Sequence, residues 1–409
     1  MPLLAGIYDK ASLNSTEIPQ DILNIESKSR SNPLPWNGQF SPQLVQALLK
    51  KYSSPSTVLL DPFVGSGTVL LESGLMGRKA FGTEINPAAV ILSRLYYLIN
   101  IPIQARQNYV KHISFLLNNC FSNIQPLFTV QSLDESGIQK SLINLLAKVE
   151  DHHQRHLLEA LIVLLDFYNY KLTVERVFSV WKKLSATIMN FPFSPRSIEV
   201  FNSDARKIPL PNNSIDLVVT SPPYINVFNY HQNYRASTES LSWNLLSVAK
   251  SEFGSNRKHR SNRFFTVIQY MLDIAQTFQE LHRLVNNNAR LIFIVGRESM
   301  VCKTPFYNGE IVTEIAHKAL GYEFLMRQER MFINRFGQKI YEDILHFSPP
   351  AHSIPQDYLD ITKDIGVKYL KSAEKYTPEK YKPLIHAAYA SSQKINPSPI
   401  FDVTAAKRA

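Results

Sequence analysis

Five short apolar runs, each followed by a turn, constrain what this 409-residue chain can fold into more than any other feature. They are TVLLDPF (57–63), KAFGTEI (79–85), SIEVFNSDA (197–205), SIDLVVTSPP (214–223) and ARLIFIVGR (289–297). Apolar runs without polar alternation suit strands covered on both faces, as in a parallel sheet. Helical spacing lies between them: TVLLESGLMG after the first, PAAVILSRLYYLI after the second, and FFTVIQYMLDIAQTFQELHRLV (264–285) before the fifth. Two further strand candidates, EFLMRQERMFI (323–333) and IYEDILHFS (340–348), flank the turn-like Asn334-Arg335-Phe336-Gly337. The alternation predicts an α/β fold with a doubly wound, mostly parallel seven-stranded sheet and ligands at the carboxyl ends of its strands.

The rhythm breaks over 105–195, where VKHISFLLNN, IQKSLINLLAKVE, HQRHLLEALIVLLDFYNY and VERVFSVWKKL carry helical patterns alone. The expected organisation is therefore a main domain over 1–104 and 196–349, a helical insertion over 105–195 that is either a target-recognition unit or scaffold, and an appended tail over 350–409. Residues 1–35, with Pro19, Pro33 and Pro35, read as an arm wrapped over the main domain; Ser41 and Pro42 then suit the start of a helix.

Apolar residues make up 44% of the chain, enough for a sizeable core, which excludes wholesale disorder. Cys120 and Cys302 are the only cysteines and lie far apart, which excludes a disulfide scaffold and a cysteine-based zinc site. The opening MPLLAGIYDKASLNST meets polar positions too early for a signal-peptide core, and LLEALIVLLDFYNY (157–170) is interrupted by Glu159 and Asp166 and too short to span a bilayer. A cytoplasmic protein without membrane contact is expected. Its net charge of +10 suits a polyanionic partner.

Asp61-Pro62-Phe63-Val64-Gly65-Ser66-Gly67-Thr68 stands where a strand ends and a helix begins. Its glycines admit close backbone approach to a ligand, and the helix adds a positive N-terminal dipole. A tight turn with nothing bound is the bland alternative. Glu84, about 20 residues beyond the glycines, is placed to bind ribose hydroxyls. Position 70 is Leu, so the dinucleotide GxGxxG pattern fails and a nucleoside without pyrophosphate fits better. Asp204 ends the third strand, either accepting from an adenine amine or capping a turn. The fourth ends in Thr220-Ser221-Pro222-Pro223-Tyr224. Two prolines fix two φ angles and remove two donors, giving a stiff turn with a hydroxyl, free carbonyls and an aromatic ring. Alone, the dipeptide reads as a strand terminator.

Together DPFVGSGT, GTEINP, NSDA and TSPPY resemble S-adenosylmethionine-dependent amino-methyltransferases, and most closely the DNA methylases of the cytosine-N4 and adenine-N6 group. The resemblance covers about residues 36–100 and 196–349, with Trp36-Asn37-Gly38-Gln39-Phe40-Ser41-Pro42 similar to the family segment that closes over the cofactor. It implies S-adenosylmethionine held by Phe63, Gly65 and Gly67 with Asp61, Ser66 and Thr68 of the same motif. It also implies Glu84 on the ribose, Asp204 on the adenine amine and Phe40 packed on the cofactor. Ser221, Pro222, Pro223 and Tyr224 would form the catalytic turn. Serine at the first position of this turn is commonest among cytosine-N4 enzymes; the alternatives are adenine-N6 methylation and, further off, RNA guanine-N2 methylation. A nucleic-acid-binding protein that binds the cofactor without transferring methyl is a third class, disfavoured by the intact turn. Cytosine-5 chemistry needs a Pro-Cys nucleophile, and neither Cys120 nor Cys302 offers one.

The expected partners are double-stranded DNA, whose target base must flip out to reach the turn, and a separately acting cognate restriction endonuclease. Arg257, Lys258, Arg260 and Arg263 lie in a run with four bases in nine residues and no acid, read as phosphate contacts against the alternative of a solvated face. Asn229 to Arg235 offer base-reading groups, or simply a polar loop. His152, His153 and His156 have helical spacing but no partner cluster, so no metal is expected.

Overall fold

The computed structural model describes residues 6–26, 30–36, 38–122, 134–225, 230–254, 261–334 and 336–407. Its strands are β1 (Val58–Asp61), β2 (Lys79–Thr83), β3 (Ile198–Phe201), β4 (Ile215–Thr220), β5 (Val285–Gly296), β6 (Glu298–Val301), β7 (Thr304–Tyr307), β8 (Glu323–Ile333) and β9 (Lys339–Ser348). Seven of them form one sheet in the order β3-β2-β1-β4-β5-β9-β8, and β6 with β7 makes a separate hairpin. β1 to β5 pair in parallel, while β9 runs antiparallel between β5 and β8. The doubly wound sheet is the one predicted from the apolar runs.

Alternation along each strand feeds two cores. Leu59, Leu217, Val219, Ile292 and Ile294 enter one cluster, and Leu60, Val218, Leu291, Phe293 and Val295 enter the other. Each such side chain contributes about 1.5–3 kcal/mol of transfer free energy, so both faces must be covered. The helices Pro42–Tyr52, Thr68–Leu75 and Pro87–Arg94 cover the first face, and Phe264–Leu284 the second.

The insertion folds as the helices Ile103–Ser122, Glu135–Lys148, His152–Leu165 and Val174–Met189. Among the described residues they share the first core cluster with the sheet. Arg106, buried near the entry of the insertion, donates to the carbonyls of Ile188 (3.1 Å) and Phe191 (2.5 Å) near its exit and so closes its neck.

Part of the stretch expected as an appended tail, 350–409, packs against the main domain. Helices Tyr358–Ala373 and Lys382–Ala390 bury Tyr369, Leu370, Ile385 and Ala388 in the second core cluster. Gly366 lets the first of them approach closely, since a Cβ there would sit 3.1 Å from Ile268. Each short amphipathic pattern supplies one apolar stripe, and a stripe suffices once an apolar helix is available to receive it. At the other end, the expected arm runs along β8. The Asn14 and Ile25 amides donate to Arg327 and Met331 carbonyls (2.8 and 2.9 Å), and Tyr8 donates to buried Asp343 (2.7 Å). An edge strand that would otherwise offer unpaired groups is thereby covered. The β6–β7 hairpin carries no sequence signal, because its two-residue turn puts Cys302 and Lys303 at φ 49° and 62° without glycine or asparagine.

Candidate active site

A cavity of about 720 Å³ opens at the carboxyl ends of the parallel strands. Phe63 and Gly65 reach it after β1, Glu84 after β2, Asp204 after β3 and Ser221 to Tyr224 after β4. Phe40 and Trp36 reach it from the segment before the first long helix. Of the residues expected to bind a cofactor, Asp61, Ser66, Gly67 and Thr68 do not line it.

Those four build the loop instead. Thr220 donates to Asp61 Oδ1 (2.6 Å), tying the ends of β4 and β1, and the Phe63 amide donates to the same oxygen (3.1 Å). Gln39 donates to the Ser66 hydroxyl (2.6 Å), and Thr68 donates to Asn32 (2.9 Å), whose amide donates to the Phe40 carbonyl (2.8 Å). The segment holding Phe40 is thus bonded to the glycine turn. Gly65 and Gly67 sit at φ +50° and +91°, and a Cβ on Gly67 would come within 2.8 Å of the Tyr96 ring.

Glu84 accepts from the Gly65 amide (3.1 Å) on one oxygen and the Asn86 amide (2.9 Å) on the other. Each oxygen keeps a lone pair for a ligand hydroxyl. Burial pushes the Glu84 carboxyl up to about 7 and does the same for Asp61. Asn86 caps the helix Pro87–Arg94 by accepting from the Ala88 amide (3.0 Å), so the helix start positions Glu84.

Asp204 is 1% exposed and already engaged. Oδ1 accepts from the Arg206 amide (3.0 Å) and Nε (2.8 Å), and Oδ2 accepts from Arg206 Nη2 (2.7 Å) and the Phe401 amide (2.8 Å). Arg206 also donates to Asp273 (2.8 Å) and to the carbonyls of Ser398 and Pro399 (2.8 and 2.9 Å). Four bonds fill about four acceptor sites, so an adenine amine would have to share one. Phe253 covers Arg206, with the guanidinium 5.0 Å from its ring centre, and meets Phe63 edge-on at 5.2 Å.

The Ser221–Tyr224 turn packs against β5 because Gly296 has no side chain; a Cβ there would be 2.8 Å from the Tyr224 ring. Asn308 holds the far side, accepting from the Ile225 amide (3.4 Å) and donating to the Gly296 carbonyl (2.7 Å). Tyr224 donates to Glu342 Oε1 (3.0 Å), and Arg330 Nε donates to Glu342 Oε2 (2.7 Å). Burial, and then Glu342, push the Tyr224 hydroxyl well above its ordinary value. Glu342, Arg330, Phe253 and Glu252 line the cavity and escaped sequence reasoning. The one signal for the first was a pair of acids, Glu342 and Asp343, inside an otherwise apolar strand pattern.

Arg257, Lys258 and Arg260 lie outside the described residues, as do Asn37, Asn229 and Arg335. Arg263 immediately precedes the helix Phe264–Leu284, its carbonyl accepting from Thr266 Oγ1 (2.6 Å). Among the loop residues, His231 bonds Glu252 (2.9 Å) and Tyr234 stacks on Trp36 at 6.1 Å. His156 meets the Ile91 carbonyl (2.9 Å), and among the described residues no group of three or more ligating side chains gathers. No helix among them is long and apolar enough to cross a membrane.

Residues 6–94 match the model of a family described as DNA methylase. A 61-residue stretch is 36% identical to the Type II methyltransferase M.MjaII of Methanocaldococcus jannaschii, covering 15% of this chain and 12% of that relative. The chain therefore spans about an eighth of the length of the curated relative it matches. A SAM-dependent methyltransferase from Methanosarcina mazei overlaps 75% of this chain and 98% of its own, at 10% identity and TM-score 0.35. The rRNA methyltransferase aviRa from Streptomyces viridochromogenes overlaps 82% and 93%, at 13% identity and TM-score 0.29.

Proposed function

We propose that this chain is a DNA methyltransferase that moves a methyl group from S-adenosylmethionine to an exocyclic amine, with cytosine N4 as the target. One observation carries the reading: Gly65, Glu84 and the Ser221–Tyr224 turn, from three strand ends spread over about 160 residues, line one cavity. The DNA methylase match over residues 6–94 and the stretch shared with a Type II methyltransferase support it.

The donor set suits the cofactor. Glu84 keeps an acceptor on each oxygen for the ribose hydroxyls, Phe40 and Phe63 offer apolar walls, and the left-handed turn at Gly65 exposes backbone to the methionine part. The fit is incomplete at Asp204, whose oxygens are shared with Arg206. Once bound, the cofactor supplies an electrophilic methyl on a sulfonium. The Ser221 hydroxyl and the Pro222 carbonyl accept the two hydrogens of the target amine and turn its lone pair toward that methyl, while Tyr224 stacks on the base. Transfer would join that methyl to the amino nitrogen, leave the electron pair of the broken sulfur–carbon bond on sulfur, and release one amine proton to water.

A base inside a duplex cannot reach such a turn, so the target flips out, and Arg257, Lys258, Arg260 and Arg263 hold phosphates. Cytoplasmic duplex DNA is the substrate of this reading, and a separately acting nuclease of the same specificity is the partner it implies. Mass spectrometry of nucleosides from DNA and RNA incubated with the protein and S-adenosylmethionine tests it. N4-methylcytosine is the expected product. N6-methyladenine would overturn the base assignment, methylguanine in RNA the substrate class, and no methylated nucleoside the activity.

A further inference from the structure

Resting on that reading, we propose that Glu342 and Arg330 are positioning residues that set the hydrogen-bond polarity of the catalytic turn, making Ser221 an acceptor for the target amine. The argument starts from proton counting. Arg330 aims Nε and Nη2 at Glu342 Oε2, at 2.7 and 2.5 Å, and the two residues are 3% and 8% exposed. Both oxygens of this carboxylate then serve as acceptors, Oε2 to the guanidinium and Oε1 to the tyrosine.

Tyr224 stands 3.0 Å from the other oxygen and must spend its single proton on it. The phenolic oxygen then has lone pairs alone to offer Ser221 Oγ, 3.4 Å away, so the serine proton turns toward the tyrosine. This contact is long, of a kind that tightens when substrate fills a site. What Ser221 presents to the cavity is its lone pairs, matched to an amine that must donate. A neutral amide at 342 could donate to Tyr224 instead and reverse the relay, after which Ser221 would offer a hydrogen to a group that has hydrogens of its own.

The pairing belongs to this fold. Arg330 and Glu342 are cross-strand partners in the antiparallel β8–β9 pair, and Gly296 on β5 gives the Tyr224 ring room to reach them. The tyrosine hydroxyl thus has a task besides the stacking of its ring.

Single-turnover methyl transfer on DNA carrying the mapped site, with calorimetric affinity for S-adenosylmethionine alongside, tests the relay in Tyr224→Phe, Glu342→Gln and the double variant. Each single change should slow transfer by about ten- to a hundredfold, with KM for DNA and cofactor affinity unchanged. The double variant should be no slower than the slower single one, because all three break one chain. A single variant at the wild-type rate, or losses that multiply, overturns the proposal while leaving methyl transfer by the wild type standing. Should Glu342→Gln fail to fold with Arg330 unpaired, Arg330→Gln/Glu342→Gln removes both charges, and the same slowing is expected of it. A wild type that methylates nothing overturns the proposed function and the relay with it.

Discussion

Asp204 grips Arg206 through both carboxylate oxygens, at 2.8 and 2.7 Å, and Arg206 extends the bond to Asp273 at 2.8 Å. All three are buried, and the chain's last segment is fastened to them: the Ser398 amide donates to Asp273 (2.7 Å) and the Phe401 amide to Asp204 (2.8 Å). Removing one member strands the others. Arg206→Met should therefore destabilise the protein by about 3–5 kcal/mol, read as a lowered midpoint in urea denaturation. Stability within about 0.5 kcal/mol of wild type would mean that water already solvates the cluster.

Cofactor affinity should depend on pH through Glu84. Burial raises its folded carboxyl from 4.5 to about 7, so in the free protein it gains protons below neutrality. On the proposed reading ribose hydroxyls donate to the ionised form, hence affinity for S-adenosylmethionine should rise from pH 6 to 8 with proton release. Calorimetry across that range should give a flat profile for Glu84→Gln and binding weaker by about ten- to a hundredfold at pH 8.

The same shift has a stability consequence of opposite sense. A folded pKa above the unfolded one favours the folded state at low pH, and the contribution is lost as pH rises from 4.5 toward 7. Free Glu84→Gln should lose less stability than wild type over that window in denaturant titrations, and parallel curves would contradict the burial of the carboxyl.

Gly67 should tolerate substitution less well than Gly65. A Cβ at 67 meets the Tyr96 ring at 2.8 Å with φ at +91°, whereas at 65 it makes ordinary contact with Trp36 at 3.6 Å. Gly65→Ala should cost about 1–2 kcal/mol from its left-handed φ, and Gly67→Ala should cost more. Equal midpoints in thermal unfolding would show that the loop relaxes around the added carbon.

If the basic run holds phosphates, Arg257→Ala/Lys258→Ala should lower the salt slope of DNA affinity by about two, to the same degree on cognate and unrelated duplexes. A slope equal to wild type would return the run to a solvated face.

Much of the sheet is legible in the chain, because a strand buried on both faces must be apolar along its length, and a turn must follow where such a run stops. Phe63, Gly65, Glu84, Asp204 and Ser221 could be placed at strand ends on those local grounds, and all five line the cavity. The family resemblance also brought in Asp61, Ser66 and Thr68, because a motif names neighbours in sequence without saying which way each side chain turns. Their inward bonds to Thr220, Gln39 and Asn32 depend on partners from other elements.

Sequence by itself determined the alternation of strands and helices, and with it the end of the sheet at which the cavity opens, since hydrophobic period and glycine placement act within a few residues. Tertiary structure alone decided that the helices Tyr358–Ala373 and Lys382–Ala390 form a packed layer, that Asp204 is occupied while Glu84 has acceptors to spare, and that Tyr224 answers to Glu342, 118 residues away. Those outcomes depend on strand order and register, which bring Arg330 opposite Glu342 and set β5 and its Gly296 beside them. A hydrogen bond's polarity is fixed by the whole set of partners that meet at one point, and no segment of the chain carries that set by itself.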